Sequence, residues 1–382
     1  MTIKRVAVIP GDGIGPEVIN EGIKVLDSAL RAEGSKIMWD YFDFSADYYL
    51  KTGKLLEEYD LKKLESYDSI YLGAVGDPRV AIGILEEGII LKLRYYFDQF
   101  INLRPIKLYE GVETVLKNKS SKDINMVFVR ENTEDFYSGL GKRVNERKAN
   151  ERLIFTRKNY EIDFNIETSA SGTSDLGSFA YQLGVVTEIG AARVQKFAFE
   201  YAKAHNLNKI TLVDKANVMP KYYGLWRETF ESISSKYPEI SSEEIHADAA
   251  AMWMVKNPEK FKVVVLPNLF GDILSDLGAS LQGGLGFAPG GNINPYGISM
   301  FEPIHGSAPK YKGKNIVNPI ATILAGKMML ETLGLSKAAN RIENAVAKVL
   351  KEGKIRTKDM NGVNSTSQMG DEIARVVSTL EE

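Results

Sequence analysis

The sequence predicts an α/β protein whose central sheet is largely parallel. Short apolar runs that stop at glycine or proline are typical of buried strands, and residues 5–10 and 69–73 form two such runs. Apolar residues recur at helical spacing over residues 17–31 and in most stretches between the runs. Strands that alternate with helices favour parallel pairing. Further predicted strands cover residues 125–129, 209–213 and 261–266.

The composition limits both the size of the fold and its chemistry. The chain has 382 residues, of which 44% are hydrophobic and 26% are charged. Domains of about 100–200 residues would make it two domains, or one large domain with insertions. A formal net charge of −2 gives no general reason to expect nucleic-acid binding. The chain has no cysteine, which excludes disulfides, thiol catalysis, zinc–thiolate sites and iron–sulfur clusters.

The histidine count and the length of the apolar runs limit which metal ions the chain could bind and whether it could span a membrane. With only three histidines, a metal site must consist mainly of carboxylates, which favours a hard cation such as Mg²⁺ or Mn²⁺. No stretch approaches about 18 consecutive apolar residues, so no transmembrane helix is expected. The N-terminal apolar run ends at Pro10 and is too short for a signal peptide. We therefore expect a cytoplasmic protein without a membrane partner.

A glycine-rich turn follows the first predicted strand. Gly11, Gly13 and Gly15 do not match the dinucleotide-binding fingerprint, because its third glycine would stand where this chain has Pro16. A loop between a strand and a helix can still turn free backbone amides towards an anionic cofactor. A tight turn without a ligand is an equally good interpretation.

Three arginines are candidates for binding an acidic substrate. Arg94 and Arg104 stand ten residues apart, and Arg130 follows the strand predicted over residues 125–129. The planar guanidinium group matches a carboxylate with two hydrogen bonds, so three of them could hold a di- or tricarboxylic acid. For each arginine alone, a surface salt bridge is the simpler interpretation.

Two aspartates form the sharpest pattern. Asp272 and Asp276 lie four residues apart in an otherwise apolar segment, so on a helix they would share one face. Like charges there repel each other, and a divalent cation bound by both carboxylates would neutralise them. Asp248, a further acid in an apolar run, could complete the site. The alternative is helix capping with solvent exposure.

Lys215 and Tyr137 are candidates for proton transfer. Lys215 follows the strand predicted over residues 209–213, and a lysine in a partly desolvated cleft can act as a base. A salt bridge to a neighbouring acid explains this lysine equally well, and Tyr137 could be an ordinary half-buried aromatic residue. A loop of about twenty residues, 301–319, is punctuated by glycine and proline, and loops of that length are usually functional.

A basic segment interrupts the alternation of strands and helices. Residues 142–158 are rich in lysine and arginine, and residues 162–173 alternate between polar and apolar. We expect a solvated hairpin or arm here. A nucleic-acid-binding patch is less well supported, because aromatic residues are not interleaved with the basic ones.

Seven motifs occur in order along nearly the whole chain. Together they resemble the isocitrate/isopropylmalate dehydrogenase family of β-decarboxylating dehydrogenases, and within it the 3-isopropylmalate and the tartrate/D-malate dehydrogenases. The motifs are VIPGDGIGPEV, LKLR…NLRP, VRENTEDFYSG, DKANVM, HADAAAM, NLFGDILSDLG and FEPIHGSAPKY…NP.

The resemblance implies a two-domain fold that binds its cofactor without a Rossmann domain. It implies a large, discontinuous cofactor-binding domain at residues 1–102 and 258–382, and a small dimerisation domain at residues 103–257. An intersubunit arm would fall near residues 141–175. The active unit would be a homodimer in which Lys215 and Asp248 are contributed across the subunit interface.

The resemblance also implies a role for each candidate residue. The carboxylates of a malate-type 2-hydroxy acid would be bound by Arg94, Arg104 and Arg130. A metal ion, Mg²⁺ or Mn²⁺, would be held by Asp248, Asp272 and Asp276. Lys215 would act as the catalytic base and Tyr137 as the acid. The cofactor would be bound by Asn217, His305, Gly306, Ser307, Ala308, Pro309, Lys310, Tyr311 and Asn318.

In the family that the chain resembles, residues just before Arg94 meet the variable substituent of the substrate. Here Ile90 and Leu91 are apolar. Burying an isopropyl group against them would contribute about 1.5–3 kcal/mol, whereas a free carboxylate would be penalised. We therefore expect oxidative decarboxylation of 3-isopropylmalate to 2-oxoisocaproate, as in leucine biosynthesis. The alternatives are a tartrate/D-malate dehydrogenase, an isocitrate or homoisocitrate dehydrogenase, and a non-catalytic regulatory subunit.

Lys310 and Tyr311 bear on the choice of nucleotide. Isopropylmalate dehydrogenases generally carry an aspartate after HGSAP, which holds the ribose hydroxyls of NAD, whereas this pair resembles that of NADP-using isocitrate dehydrogenases. A cation facing the 2′-phosphate is physically reasonable. The C-terminal tyrosine and arginine that complete that NADP site have no match in residues 355–360. We expect NADP to be favoured over NAD.

Overall fold

A computed structural model describes residues 3–172 and 177–380 of the chain. The strands are β1 (Lys4–Gly11), β2 (Ile37–Tyr41), β3 (Ser69–Ala74), β4 (Ile101–Lys107), β5 (Asn125–Glu131), β6 (Gly141–Val144), β7 (Lys148–Arg157), β8 (Tyr160–Ser169), β9 (Phe179–Gln182), β10 (Lys209–Asp214), β11 (Ser241–His246), β12 (Val263–Leu266), β13 (Pro289–Ile293) and β14 (Ser299–Pro303). The helices are α1 (Gly15–Ala32), α2 (Ala46–Thr52), α3 (Glu58–Leu64), α4 (Lys92–Tyr96), α5 (Glu188–Ala204), α6 (Pro220–Ser234), α7 (Ala247–Lys256), α8 (Asn268–Leu281), α9 (Ile320–Thr332), α10 (Ser336–Glu352) and α11 (Thr366–Thr379).

Ten strands form one central sheet in the order β11-β10-β12-β5-β4-β13-β14-β3-β1-β2. Pairing is parallel from β11 to β5 and from β14 to β2. Between these two parts, β5, β4, β13 and β14 pair antiparallel. The predicted α/β class with a largely parallel sheet is confirmed, but the antiparallel centre was not predicted, because apolar runs do not report strand direction.

The two parallel parts of the sheet bring the candidate motifs together. Parallel strands end at the same edge, and ligands of α/β proteins bind beyond the carboxyl ends of the strands. In one part, β10 ends directly before Lys215, and β11 ends two residues before Asp248. In the same part, β12 leads into helix α8, and β5 ends at Glu131. In the other part, the ends of β1, β3 and β14 lead to the glycine-rich turn, to Gly76 and to the loop that begins at Ile304.

Helix α1 shows why the predicted periodicity produces a helix at this position. It begins at Gly15 with Pro16 in its first turn, where the missing amide hydrogen costs no intrahelical bond. Its buried face, which includes Val18 and Leu26, packs against α9, α10 and α11. The predicted strands at 5–10 and 69–73 correspond to β1 and β3. Local pattern and tertiary packing therefore agree in this part of the chain.

The basic segment forms an antiparallel hairpin, as expected. Strands β7 and β8 pair along their full length, from Lys148 with Ser169 to Arg157 with Tyr160. Phe155 is fully buried in a small cluster with Leu140 and Val185, which attaches the turn end of the hairpin to the rest of the chain. Residues 173–175 of the predicted arm lie outside the described residues.

The two predicted domains share the central sheet. Strand β12 belongs to the predicted segment 258–382, yet it pairs with β10 and β5 of the predicted segment 103–257. The domain boundaries stay a prediction. Of the helices in residues 3–172 and 177–380, none is both long and apolar enough to cross a membrane.

Candidate active site

Three buried arginines gather around one aspartate and one glutamate. Arg94, Arg104 and Arg130 lie on α4, β4 and β5, and each is at most 7% exposed. Nη1 of Arg130 forms a very short contact with Oδ1 of Asp272, and Nη2 of Arg104 lies 3.4 Å from the same oxygen. Nη2 of Arg94 faces Oε1 of Glu302, at 3.4 Å. The predicted arginine cluster is thus present in the fold.

Two of the arginines are also held by neutral hydrogen bonds. Arg104 donates from Nε to Asn102 Oδ1 and from Nη1 to Ser275 Oγ, both at 2.5 Å. Arg130 donates from Nε and Nη2 to Asn268 Oδ1, at 3.0 and 2.7 Å. In the part of the chain that the structure describes, the buried Nε of Arg94 has no partner. This atom is an unused hydrogen-bond donor within the cluster.

The arginines determine the charge state of Asp272. Burial opposes ionisation of this carboxyl, but Arg130, Arg104 and a hydrogen bond from Tyr137 outweigh it and lower its pKa to about 2. Burial, and then the charge of Arg130, lowers the pKa of Arg104. Three guanidinium groups thus face three carboxylates, those of Asp272, Glu302 and, at 4.0 Å from Arg104 Nη1, Asp276.

Asp272 and Asp276 lie on α8 with the predicted spacing of four residues. Asp276 is exposed, and its nearest cationic atom is Arg104 Nη1 at 4.0 Å. Burial raises the pKa of Asp276, and the charge of Arg104 acts in the opposite direction. Two oxygen donors on one helix face, one of them without a close cation, are suited to Mg²⁺ or Mn²⁺. Within the described ranges, however, three or more acidic or histidine side chains nowhere gather into a metal-binding group.

Lys215 and Asp248 form a pair of their own. Nζ of Lys215 donates to Oδ1 of Asp248 at 2.7 Å, and this contact lowers the pKa of the aspartate. Lys215 follows the buried Asp214, which accepts hydrogen bonds from Ala216 N at 2.8 Å and from Arg227 Nε at 2.5 Å. The turn that carries the lysine is therefore held firmly. Among the described residues, Asp248 does not join Asp272 and Asp276 in one ligand group.

Tyr137 contacts both the arginines and the aspartate. Its hydroxyl donates to Oδ2 of Asp272 at 2.6 Å, and the guanidinium carbon of Arg130 lies 5.2 Å from its ring centre. Burial raises the pKa of Tyr137, and the hydrogen bond to Asp272 contributes to the same effect. The phenol therefore stays protonated at neutral pH, as a proton donor must.

Ile90 and Leu91 lie at the end of a short π-helical turn, Glu86–Leu91, which runs directly into α4. Both side chains are half-buried. They precede Arg94 by four and three residues, the spacing of neighbours on one helical face. π-helical turns occur often at functional sites. The turn itself was not predicted from the sequence.

A cavity of about 260 Å³ lies beyond the carboxyl ends of β1 and β14. Of the predicted cofactor-binding residues, it is lined by His305, Ala308, Tyr311 and Asn318. Gly306, Ser307, Pro309 and Lys310 lie in the same loop without lining the cavity, and Asn217 lies exposed before α6. The buried Nε2 of His305 has no partner among the described residues. An apolar cavity with an unpaired polar atom fits the adenosine part of a nucleotide.

The glycine-rich turn holds the cavity loop by close backbone contact. Ile14 N donates to Ser307 O at 2.9 Å, and Ser307 Oγ donates to Gly76 O at 2.5 Å. Gly13 has a φ of 58°, and a Cβ there would lie 1.9 Å from Ser307 O. Glu17 accepts hydrogen bonds from the amides of Gly313 and Asn315. The turn thus supports the loop, a role that sequence reasoning did not assign to it.

Sequence reasoning missed two further groups. Lys358 and Asp359 also line the cavity, and Asp359 accepts from Asn318 Nδ2 at 3.0 Å. Asp135, with a φ of 64° and ψ of −150°, accepts from Leu269 N at 2.7 Å and so caps the first turn of α8. The strained backbone of Asp135 is the kind of feature that marks functional sites. Its only sequence signal is its place in the VRENTEDFYSG motif.

Comparisons with known proteins agree with this geometry. A family model described as isocitrate/isopropylmalate dehydrogenase matches residues 5–373. The chain is 42% identical over 376 residues to a 3-isopropylmalate dehydrogenase from Thermobifida fusca, covering 98% of each chain. It is 42% identical over 377 residues to one from Streptomyces coelicolor, again covering 98% of each.

Two solved structures are similar over the length of the chain. An isocitrate dehydrogenase from Methylococcus capsulatus has a TM-score of 0.83 at 34% identity, covering 98% of this chain and 100% of that one. The TT0538 protein from Thermus thermophilus has a TM-score of 0.82 at 31% identity, covering 98% of this chain and 68% of that one. The resemblance inferred from the motifs, the fold class and the prediction of a dehydrogenase are confirmed.

The different surroundings of the two α8 aspartates predict different effects on stability. Without metal, Asp272→Asn should lower the free energy of unfolding by about 1–2 kcal/mol, after allowance for solvent screening, because it leaves buried guanidinium groups uncompensated. Asp276→Asn should change it by less than about 0.5 kcal/mol. Urea titrations in the presence of a chelator measure both.

The contribution of Asp272 to the free energy of unfolding should decrease as the pH falls. Because the pKa of Asp272 in the folded chain, about 2, lies below its ordinary value, its contribution is complete above about pH 4–5 and is lost as the pH falls towards 2. The difference between the wild type and Asp272→Asn should therefore shrink on acidification. Equal destabilisation by both substitutions would contradict the assignment of Asp272 as the compensating charge.

Proposed function

Because the chain belongs to the isocitrate/isopropylmalate dehydrogenase family, we propose that it catalyses the metal-dependent oxidative decarboxylation of 3-isopropylmalate to 2-oxoisocaproate, with NADP or NAD as the oxidant. The observation that carries the proposal is the buried cluster of Arg94, Arg104 and Arg130, with the apolar Ile90 and Leu91 just before Arg94. Leucine biosynthesis is the pathway that this reaction serves, and a cytoplasmic location is part of the proposal.

The arginines would bind the two carboxylates of the malate unit. The unpaired Nε of Arg94 and the three neighbouring guanidinium groups favour a ligand with two carboxylates. Since all three side chains are held by the surrounding protein, little rotamer freedom is left to lose on binding. The cluster would therefore fix the reacting carbon with respect to Tyr137.

The substituent at C3 would meet Ile90 and Leu91. An isopropyl group gains from leaving water against these side chains, and the third carboxylate of isocitrate would lose hydration there. The relatives named 3-isopropylmalate dehydrogenase support the same substrate. An isocitrate or homoisocitrate dehydrogenase is the second candidate, favoured by the solved isocitrate dehydrogenase and by the Lys310–Tyr311 pair. A tartrate/D-malate dehydrogenase is the third.

Proton transfer would be divided between two residues. Lys215 would remove the proton of the C2 hydroxyl, and Tyr137 would return a proton to C3 after carbon dioxide has left. Tyr137 is suited to this role because its pKa is raised by burial and its hydroxyl lies at the arginine cluster. The hydroxyl donates to Asp272 in the free chain, so it must change partner during turnover.

Enzymes of this family require a nicotinamide nucleotide and a divalent metal ion. Asp272 and Asp276, with Asp248, would hold Mg²⁺ or Mn²⁺, which as a Lewis acid polarises the substrate oxygen. The cavity at His305, Ala308, Tyr311 and Asn318 would hold the adenosine half of the nucleotide, whose nicotinamide accepts the hydride from C2. Ser307, Gly306 and Pro309 would shape the loop around it.

Steady-state kinetics tests the substrate. We expect 3-isopropylmalate to give a kcat/KM at least about tenfold above those of isocitrate, homoisocitrate, D-malate and tartrate, because an apolar pocket gains about 1.5–3 kcal/mol from the isopropyl group. Each substrate is measured with both nucleotides and with Mg²⁺ or Mn²⁺. A preference for isocitrate would refute the proposed contact of the C3 substituent with Ile90 and Leu91. No turnover with any substrate would refute the proposed function.

The preference for NADP would come from two lysines. Lys310 is exposed beside Tyr311, and Lys358 lines the cavity, so both could reach a 2′-phosphate. Lys310→Gln and Lys358→Gln should each lower kcat/KM for NADP about tenfold and leave that for NAD nearly unchanged. Lys314→Gln, which removes a lysine four residues after Lys310 in the same loop, is the control. A wild-type preference for NAD would overturn this part of the proposal.

A homodimer with shared sites would account for Lys215 and Asp248. These residues pair with each other and, among the described residues of one chain, do not complete the aspartate pair on α8. We propose that each pair enters the site of the partner subunit. One dimer would then contain two composite sites.

Mixing of two inactive variants tests the shared sites. Lys215→Ala and Tyr137→Phe should each lower kcat at least about a hundredfold, because each removes a proton-transferring group. In a refolded equimolar mixture, each heterodimer would contain one site with both substitutions and one with neither. Activity should return to about a quarter of the wild-type value. No recovery, with heterodimers present, would mean that Lys215 serves its own chain or that the roles are wrong.

A further inference from the structure

Arg157 connects the β7–β8 hairpin to the segment that carries Tyr137. It is the last residue of β7, and its Nε donates a very short hydrogen bond to the carbonyl oxygen of Thr133. Its guanidinium carbon lies 4.0 Å from the ring centre of Tyr95 and 4.0 Å from that of Phe155. The side chain is thus held between two aromatic rings and the backbone.

Tyr95 extends this connection to the candidate active site. It follows Arg94 directly on α4, and its hydroxyl donates to the carbonyl oxygen of Tyr137 at 2.6 Å. Thr133 lies four residues before Tyr137 in the same segment. Arg157 therefore acts on residues 133–137 at both ends, directly at Thr133 and through Tyr95 at Tyr137.

Tyr160, the residue that pairs with Arg157 in the hairpin, makes a second attachment. Its hydroxyl donates to the carboxylate of Glu134, which also accepts from Thr187 N at 2.8 Å and from Thr187 Oγ1 at 2.6 Å. Glu134 is almost completely buried. The turn end of the hairpin is thus bonded to two consecutive residues of the 133–137 segment.

Only an arginine satisfies all the contacts of Arg157. A planar guanidinium can stack on aromatic rings and donate in its own plane at the same time. A lysine at this position would keep the positive charge and could still donate a hydrogen bond to Thr133, but it has no planar group to stack on Tyr95. Arg152, on the same strand, forms an exposed ion pair with Asp163 at 2.6 Å and contacts neither ring.

We propose that Arg157 is a positioning residue: it fixes α4, which carries Arg94, against residues 133–137, which carry Tyr137, so that the docked hairpin sets the geometry of the active site. The inference rests on the proposed roles of Arg94 and Tyr137. It assigns a second task to the hairpin, besides any part that the hairpin has in the subunit interface.

The experiment compares Arg157→Met with Arg152→Met. For the best substrate found, Arg157→Met should lower kcat about tenfold to a hundredfold and raise KM for the hydroxy acid, because small displacements of reacting groups are costly. KM for the nucleotide should stay within about twofold, since the cavity is lined by other residues. Arg157→Lys should recover part of kcat, and Arg152→Met should behave like the wild type. Equal kcat in the two methionine variants, or a matching change in nucleotide KM, would overturn the proposal.

Tyr95→Phe removes only the hydroxyl that reaches Tyr137 and tests the second link even if Arg157→Met fails to fold. It should lower kcat, and its effect should be less than additive with that of Arg157→Met, because both act on the same segment. Unchanged kcat in Tyr95→Phe, or full additivity, would refute the link.

Amide hydrogen exchange separates this inference from the proposed function. Residues 133–137 should exchange faster in Arg157→Met than in Arg152→Met, whether or not any tested substrate is turned over. Unchanged exchange would overturn the positioning role. Faster exchange in a chain that turns over none of the substrates would retain the positioning role and refute the proposed function alone.

Discussion

The ion pair between Arg130 and Asp272 is the interaction on which the arrangement of the site depends. Arg130 is almost fully buried on β5, where an uncompensated guanidinium would carry a large desolvation penalty. Asp272 supplies the opposite charge from α8 and so ties the helix to the sheet. The same carboxylate faces Arg104 and accepts the hydrogen bond of Tyr137. One aspartate therefore sets the relative positions of three candidate residues.

Much of the fold could be predicted because its signals are local. The apolar runs at 5–10 and 69–73 lie in β1 and β3, and the helical periodicity over 17–31 lies in α1. In these segments the apolar residues that the spacing singles out are the ones that are buried in the folded chain, because the spacing determines which side chains share the packed face. The placement of Asp272 and Asp276 on one face of α8 could be predicted for the same reason, because four residues make about one helical turn.

The remaining features depend on contacts between distant parts of the chain. Asp135 caps a helix that begins more than a hundred residues later, and Lys358 reaches a cavity formed around His305. Arg157 stacks on Tyr95, which belongs to another element and another part of the sequence. No periodicity encodes such contacts, because they arise from the order of strands in the sheet. The antiparallel centre of that sheet escaped prediction for the same reason.

The antiparallel strands at the centre of the sheet connect the three clustered arginines to the loop of residues 301–319. Asn292 on β13 accepts from Asn102 Nδ2 at 2.8 Å and donates to Glu302 Oε1 at 2.7 Å, and Glu302 on β14 faces Arg94. These groups are buried, and leaving one without its partner costs about 1–3 kcal/mol, so each constrains the next. Strand β14 then leads within three residues to His305. The central strands thus hold the proposed substrate-binding and nucleotide-binding residues in fixed relative positions, which hydride transfer between two separately bound molecules would require.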